Sequence, residues 1–178
     1  MKVSDIFTKI STHQVVGIML HDQMADAFAF LALDGFARMH EHQYKEENHT
    51  MRKVHRYYID HMDMLMESGQ PSDPHAIPRG WGGYTRQRVD TETKRKAAHD
   101  LMERWIEHEK DTRKLYEESY GCLSEQGEIA AACMVKELII EVDKELCWAK
   151  KLHLRLEAVD YDMQVIDQVQ LELLEMWN

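Results

Sequence analysis

Proline and glycine are scarce. Three prolines and eight glycines occur in 178 residues, so little interrupts the backbone hydrogen bonding of long helices. Cysteine is scarcer still. Cys122, Cys133 and Cys147 are odd in number and lie far apart with no Cys-x-x-Cys pair. That excludes a disulfide framework and a zinc knuckle, and fits a reducing compartment. No apolar run approaches the roughly 20 residues needed to span a membrane. The first residues, Met1 to Phe7, lack the continuous apolar region of a secretion signal. The expectation is a cytoplasmic protein with no membrane partner. Positive charge is also in short supply: the formal net charge is −10. Such a chain repels a phosphate backbone, which argues against nucleic acid as a partner. There is no nucleophile elbow, phosphate-cradling glycine loop or Ser/His/Asp arrangement, and no internal repeat.

What the chain does have is helical periodicity. The length suits a single domain over residues 1–178, beginning with an N-terminal arm at 1–11. Residues from about 12 to 68 contain no proline and two glycines. The spacing predicts two helices there, with a turn near Asp34-Gly35 or a few residues later and a cap at Glu67-Ser68-Gly69. Leu20, Met24, Ala27, Phe28 and Leu31 mark the buried stripe of the first. Met51, Val54, Tyr58, Met62 and Leu65 mark that of the second. All three prolines and four of the glycines fall between Gly69 and Tyr84, so residues 69–89 read as a long crossover. A third helix runs from about Asp90 to Tyr120, with Gly121 as its stop. A fourth runs from Ser124 or Glu125 to Ala158, and a shorter fifth occupies 160–178. The expected fold is all-α: an antiparallel four-helix bundle with a crossover between helices 2 and 3 and a short C-terminal helix. An amphipathic fifth helix often serves assembly, so a homo-oligomer is expected.

Bundle interiors bind metals through carboxylates and imidazoles that project inward from facing helices. The informative residues are therefore charged side chains in the apolar phase. Glu109 lies between Trp105 and Thr112, in register with Leu101, Met102 and Tyr116. A buried carboxylate is costly unless a cation or hydrogen bond satisfies it. On helix four, Glu137, Glu141 and Glu145 form a ladder at four-residue spacing, and Glu141 has the best claim to point inward. Such ladders also pair with surface lysines. On helix two the in-phase polar residues are Glu47, His55, Tyr58 and His61. On helix one, His21, Gln23 and Asp26 lie near the right depth. His13, His40, His42, His49 and His75 are expected at the surface. The twelve methionines read as adaptable core packing.

The stretch Ile77-Pro78, Trp81 and Trp105-Ile106-Glu107-His108-Glu109-Lys110-Asp111-Thr112 resembles the crossover and third helix of bacterial ferritins. The spacing from Glu109 to Glu141-Val142-Asp143-Lys144-Glu145 is also similar to that family, and the likeness covers about residues 75–156. It implies a ferritin-like fold in which Glu109 corresponds to the third-helix ferroxidase glutamate. Glu141 and Glu145 correspond to acidic positions near an accessory iron site. Val142 stands where the family commonly has glutamine. The family also carries Glu-x-x-His on helix two. Glu46 and His49 supply that motif literally, but the phase sets His49 on the wet face with Lys45, Arg52 and Lys53.

Two readings follow. In the first, a ferritin-like protein binds iron or manganese, as one or two ions, at a carboxylate/histidine centre and performs oxidation or storage. Its ligands would come from Glu109, Glu141, Glu145, Glu47, His55 and His61, with Glu46, His49 and Asp26 as further candidates. Oxygen or peroxide as co-substrate is implied by the resemblance. In the second, the bundle binds no metal and serves as an assembly or interaction module. Its inward glutamates would then be satisfied by tyrosine hydroxyls and histidines.

Overall fold

The computed structural model describes residues 2–62 and 89–177. The expected cap at Glu67-Ser68-Gly69, most of the 69–89 crossover and the Ile77-Pro78 and Trp81 segment, with His75, lie outside those residues. Five helices carry the described chain: α1 (Val3–Phe30), α2 (Asp34–Met62), α3 (Thr91–Glu125), α4 (Ile129–Glu157) and α5 (Met163–Met176). None is long and apolar enough to cross a membrane.

Local chemistry sets the helix ends. The Asp5 carboxylate accepts the Lys2 backbone N–H at 3.1 Å, so α1 begins at Val3. The predicted N-terminal arm is thus the first part of a helix. Its apolar residues Ile6, Phe7 and Ile10 extend the buried stripe and are fully covered, with Phe7 packed on Tyr57 and Tyr58. The α1–α2 turn closes through Ala32 in the left-handed region (φ 58°) and a Leu33 N–H to Phe28 C=O bond of 2.9 Å. Asp90 caps α3 by accepting the Thr93 N–H at 2.7 Å. The helix runs through the expected stop at Gly121 and ends at Glu125, two residues before Gly127 takes φ 75°. A left-handed residue, which glycine tolerates, turns the chain there.

Cross-helix contacts fix the topology. Ser11 meets His55 and His21 meets His40, so α1 and α2 are antiparallel. His13 meets Thr112 and Gln14 meets Tyr116, whereas His21 meets Trp105, so α1 and α3 are antiparallel too. Arg113 pairs with Asp143 and His99 lies against His153, which makes α3 and α4 antiparallel. It follows that α2 and α3 run parallel: α2 ends at one end of the bundle and α3 begins at the other. α5 packs beside the start of α2. An added Cβ at Gly35 would stand only 2.4 Å from the Gln170 carbonyl oxygen, so the glycine permits this close approach.

Two apolar clusters fill the interior. One gathers Leu20, Met24, Phe28, Phe36, Met102, Trp105, Ala149 and Leu156 with α5. The other gathers Ile6, Phe7, Ile10, Val54, Tyr58, Leu123, Val135 and Leu138. Polar side chains occupy the bundle between them.

Candidate metal centre

The polar layer exists because each of the helices α1 to α4 places between one and three polar residues in its apolar phase. α1 supplies Gln14 and His21, α2 supplies His40, Gln43 and Glu47, and α3 supplies His108, Glu109 and Thr112. All but Glu47 are buried, and Glu47 is partly so. α4 adds the partly buried Glu145. Gly17 makes the room: a Cβ there would lie 2.9 Å from His108 Nε2 and 3.5 Å from the Glu47 carboxyl carbon.

Glu109 is the hub. It has no solvent exposure. Trp105 Nε1 donates to its Oε1 at 3.0 Å, and His21 Nε2 stands 3.8 Å from the same oxygen. Its Oε2 and His21 Nε2 are both buried without a hydrogen-bond partner among the described residues. Burial raises the Glu109 carboxyl to about 7. His21, Glu47 and Glu109 each offer one ligand atom, and the three atoms lie within 4.8 Å of one another.

Charge builds up around this trio. Burial, then the charges of Glu109, Glu145 and Glu141, hold the Glu47 carboxyl well above the ordinary range. Glu145 is pushed up to about 8 by burial and by the charges of Glu109, Glu141 and Glu46. Carboxylates that raise one another in this way hold protons or a cation. Tyr116 is buried, its hydroxyl accepts from Gln14 Nε2 at 3.4 Å, and burial and Glu47 raise it well above 10. Glu47, Thr50, Thr112, Tyr116, Glu141 and Glu145 help line a small cleft of ≈ 10 Å³ between α2, α3 and α4. That is about the space one water or ion needs.

His21 is backed by His40. Their Nδ1 atoms are 2.9 Å apart, and His40 lies flat on Phe28 and edge-on to Trp105. Burial lowers His21 to about 3 and His40 well below its usual value. Both rings are therefore neutral at physiological pH, as metal ligation requires.

No protein-family model matches the chain, and no curated protein matches it in sequence. Solved structures do. An open-pore ferritin from the hyperthermophilic archaeon Archaeoglobus fulgidus superposes with a TM-score of 0.79 at 17% identity, over 97% of this chain and 94% of its own. A second structure of such a ferritin gives 0.79 at 16%, over 97% and 96%. A form of the Archaeoglobus fulgidus ferritin engineered to be closed gives 0.76 at 16%, over 97% and 94%. This chain has the ferritin-like fold.

Within that ferritin-like bundle the sequence-derived candidates separate cleanly. Glu109, Glu47 and Glu145 come together at the centre. Glu141 sits at the rim, where it shares Lys53 with Glu137 at 3.4 and 2.9 Å. Of the ladder, Glu145 rather than Glu141 is thus the member that turns in. Glu46 and His49 face solvent, and Glu46 stands 4.0 Å from His42. The helix turn next to them presents Glu47 and Thr50 to the cleft instead, one residue out of step with the literal motif. His55 bonds Ser11 at 2.6 Å. His61 is exposed, bonded to the Tyr57 carbonyl and stacked on its ring. Asp26 is exposed. The structure brings none of these last five into the trio.

The histidine expectations need correction. His40 is fully buried, His13 is half-buried and stacked on His108, and His42 lies half-buried against Trp177. His40 was legible in retrospect. The stripe Val54–Tyr58, continued toward the N-terminus at three- and four-residue steps, passes through Glu47, Gln43, His40 and Phe36. Polar residues in the phase concealed it.

Proposed function

We propose that this chain is a metal-handling ferritin-like protein that binds iron at the bundle centre and acts in its oxidation or storage. The observation that carries this reading is the pair of buried atoms without a hydrogen-bond partner among the described residues, Glu109 Oε2 and His21 Nε2, on two side chains that group with Glu47. A purely structural glutamate at this depth should have its oxygens hydrogen-bonded, because an orphaned buried acceptor costs about 1–3 kcal/mol. A shared cation removes that cost for all three groups at once.

Glu109, Glu47 and His21 would hold the ion, with Glu145 closing the open side. Trp105 holds Glu109 Oε1, which leaves Oε2 for the ion. His40 orients His21. Gln14 positions the Tyr116 hydroxyl beside Glu47. An iron ion bound there supplies one-electron chemistry toward oxygen or peroxide. Oxygen-rich ligation with one imidazole suits Fe(II), and Mn(II) shares that preference. Assembly into a homo-oligomer belongs to the same proposal, supported by exposed apolar side chains such as Met19, Ile129, Ile140 and Leu154.

Anaerobic Fe(II) titration, with metal analysis of the purified chain, tests the centre. The expected result is an equivalent of Fe(II) bound at the centre that Glu109→Gln and Glu47→Gln each remove. An Fe(II) stoichiometry that neither substitution lowers would overturn the proposed centre, and no binding in the unaltered chain would favour the assembly-module reading. Sedimentation across a concentration series tests the oligomer.

A further inference from the structure

A second group of ligand atoms lies away from the centre. His99 on α3 and His153 and Glu157 on α4 each offer one atom, and the three lie within 4.8 Å of one another. Ten residues of α3 separate His99 from Glu109, about 15 Å at the helical rise. The two groups cannot share an ion. From this geometry we propose that His99, His153 and Glu157 form a second, partly exposed site for a divalent transition metal, independent of the bundle centre.

Histidine–glutamate pairs four residues apart are common on helix surfaces and imply no metal by themselves. Here two such pairs, one from each helix, converge. His153 Nε2 is 3.9 Å from Glu157, and His99 Nδ1 is 3.6 Å from Glu103 and 3.5 Å from Asp100. The ring centroids of His99 and His153 are 5.5 Å apart.

An independent feature fixes one ring. The Tyr161 hydroxyl lies 2.6 Å from His153 Nδ1. Tyr161 is itself buried, and the turn after α4 holds it in place. Its backbone takes φ 52°, and its N–H bonds the Leu156 carbonyl at 2.8 Å. His99 meets the face of the same tyrosine nearly edge-on, at 5.2 Å. With Nδ1–H of His153 donated to the tyrosine oxygen, Nε2 keeps its lone pair for a cation. Metal-ligating histidines typically have their other ring nitrogen engaged in this way.

Two imidazoles and one carboxylate suit Zn(II), Fe(II), Ni(II) or Cu(II) better than Mg(II) or Ca(II), and leave coordination positions open to water. Part-exposure of His99 and the exposed Glu157 carboxylate would let such an ion load directly from solution.

Zn(II) is the probe. In the full-length Glu47→Gln/Glu109→Gln protein, calorimetry should show one equivalent of Zn(II) per chain. Adding His99→Ala and His153→Ala should remove it. Tyr161→Phe should weaken it about 10–100-fold without changing its number. The unaltered chain gives a test that needs no variant: Zn(II) should protect His99 and His153 from acylation by diethyl pyrocarbonate, read by mass spectrometry. Unprotected histidines, or a stoichiometry indifferent to their removal, overturn the proposal. No Zn(II) bound by the Glu47→Gln/Glu109→Gln protein would overturn it as well, whereas binding retained there and lost on removing His99 and His153 supports it whatever becomes of the bundle centre.

Discussion

The Nδ1 atoms of His21 and His40 lie 2.9 Å apart in a fully buried contact. Two neutral imidazoles meeting nitrogen to nitrogen must divide the roles of donor and acceptor. If His40 donates, the His21 proton sits on Nε2 and points toward Glu109. If His21 donates, its Nε2 lone pair faces Glu109 and Glu47 instead. The first arrangement complements a bare carboxylate and the second complements a cation, so loading the centre selects between them.

His40→Phe should keep the ring stack between Phe28 and Trp105 and remove the acceptor. Metal affinity at the centre is expected to fall about 10–100-fold, the usual effect of losing a ligand's supporting partner. Fe(II) or Co(II) titration measures it. An unchanged affinity would show that His21 needs no partner to present Nε2.

Glu109→Gln should separate binding from stability. Glutamine preserves the acceptor for Trp105 Nε1 but carries no charge. Metal binding at the centre is expected to disappear while the metal-free protein melts at a higher temperature at pH 8, where Glu109 is charged against its burial. The gain should be about 2–4 °C per kcal/mol. Paired calorimetric scans with and without metal decide it.

The metal-free chain should lose stability as pH rises from about 6.5 to 8. Glu109 and Glu145 are raised to about 7 and 8, so in this window the folded state holds protons that the unfolded chain has released. Stability then falls with rising pH. His21 and His40 do not oppose the trend, because above 6.5 they are mostly neutral in both states. Below it they do, since unfolding lets them take up protons. Bound metal displaces the carboxyl protons, so the slope should flatten in the loaded protein. A melting temperature flat from 6.5 to 8 without metal would count against the carboxylate cluster.

Gly35→Ala should dislodge α5. The added methyl meets Gln170 backbone at 2.4–2.9 Å, and a helix cannot yield as a flexible side chain tip does. The cost is expected to be about 1–3 kcal/mol, as for overpacking elsewhere, even though alanine is the better helix former. Denaturant melts give the magnitude, and Trp177 fluorescence should report the movement of α5 against His42 and Trp148.

Gly17→Ala should act at the centre. Its methyl would crowd His108 and press toward Glu47. Weaker metal binding with a small stability change is expected. Gly121→Ala is the control, because nothing lies within 4 Å of its added Cβ.

Helix number, the apolar stripes and the inward placement of Glu109 and Glu47 could be read from the chain, because 3.6-residue periodicity records which face a helix buries. Periodicity cannot say how far a stripe continues once polar residues enter it. Spacing alone therefore places His40 at the surface, and Ile6, Phe7 and Ile10 in an arm. The ladder on α4 posed the opposite problem: Glu141 and Glu145 share a face, and only the position of Lys53 on α2 decides that the first stays at the rim.

The amino-acid order alone determined an acidic, all-helical chain with carboxylates in its buried phase, because hydrophobic spacing and the scarcity of breakers act locally. Only the tertiary structure decided which of those groups meet. Contacts such as His21 with Glu109, or His99 with His153, depend on the relative height and rotation of separate helices. Those are set by packing across the whole bundle, which no local pattern encodes.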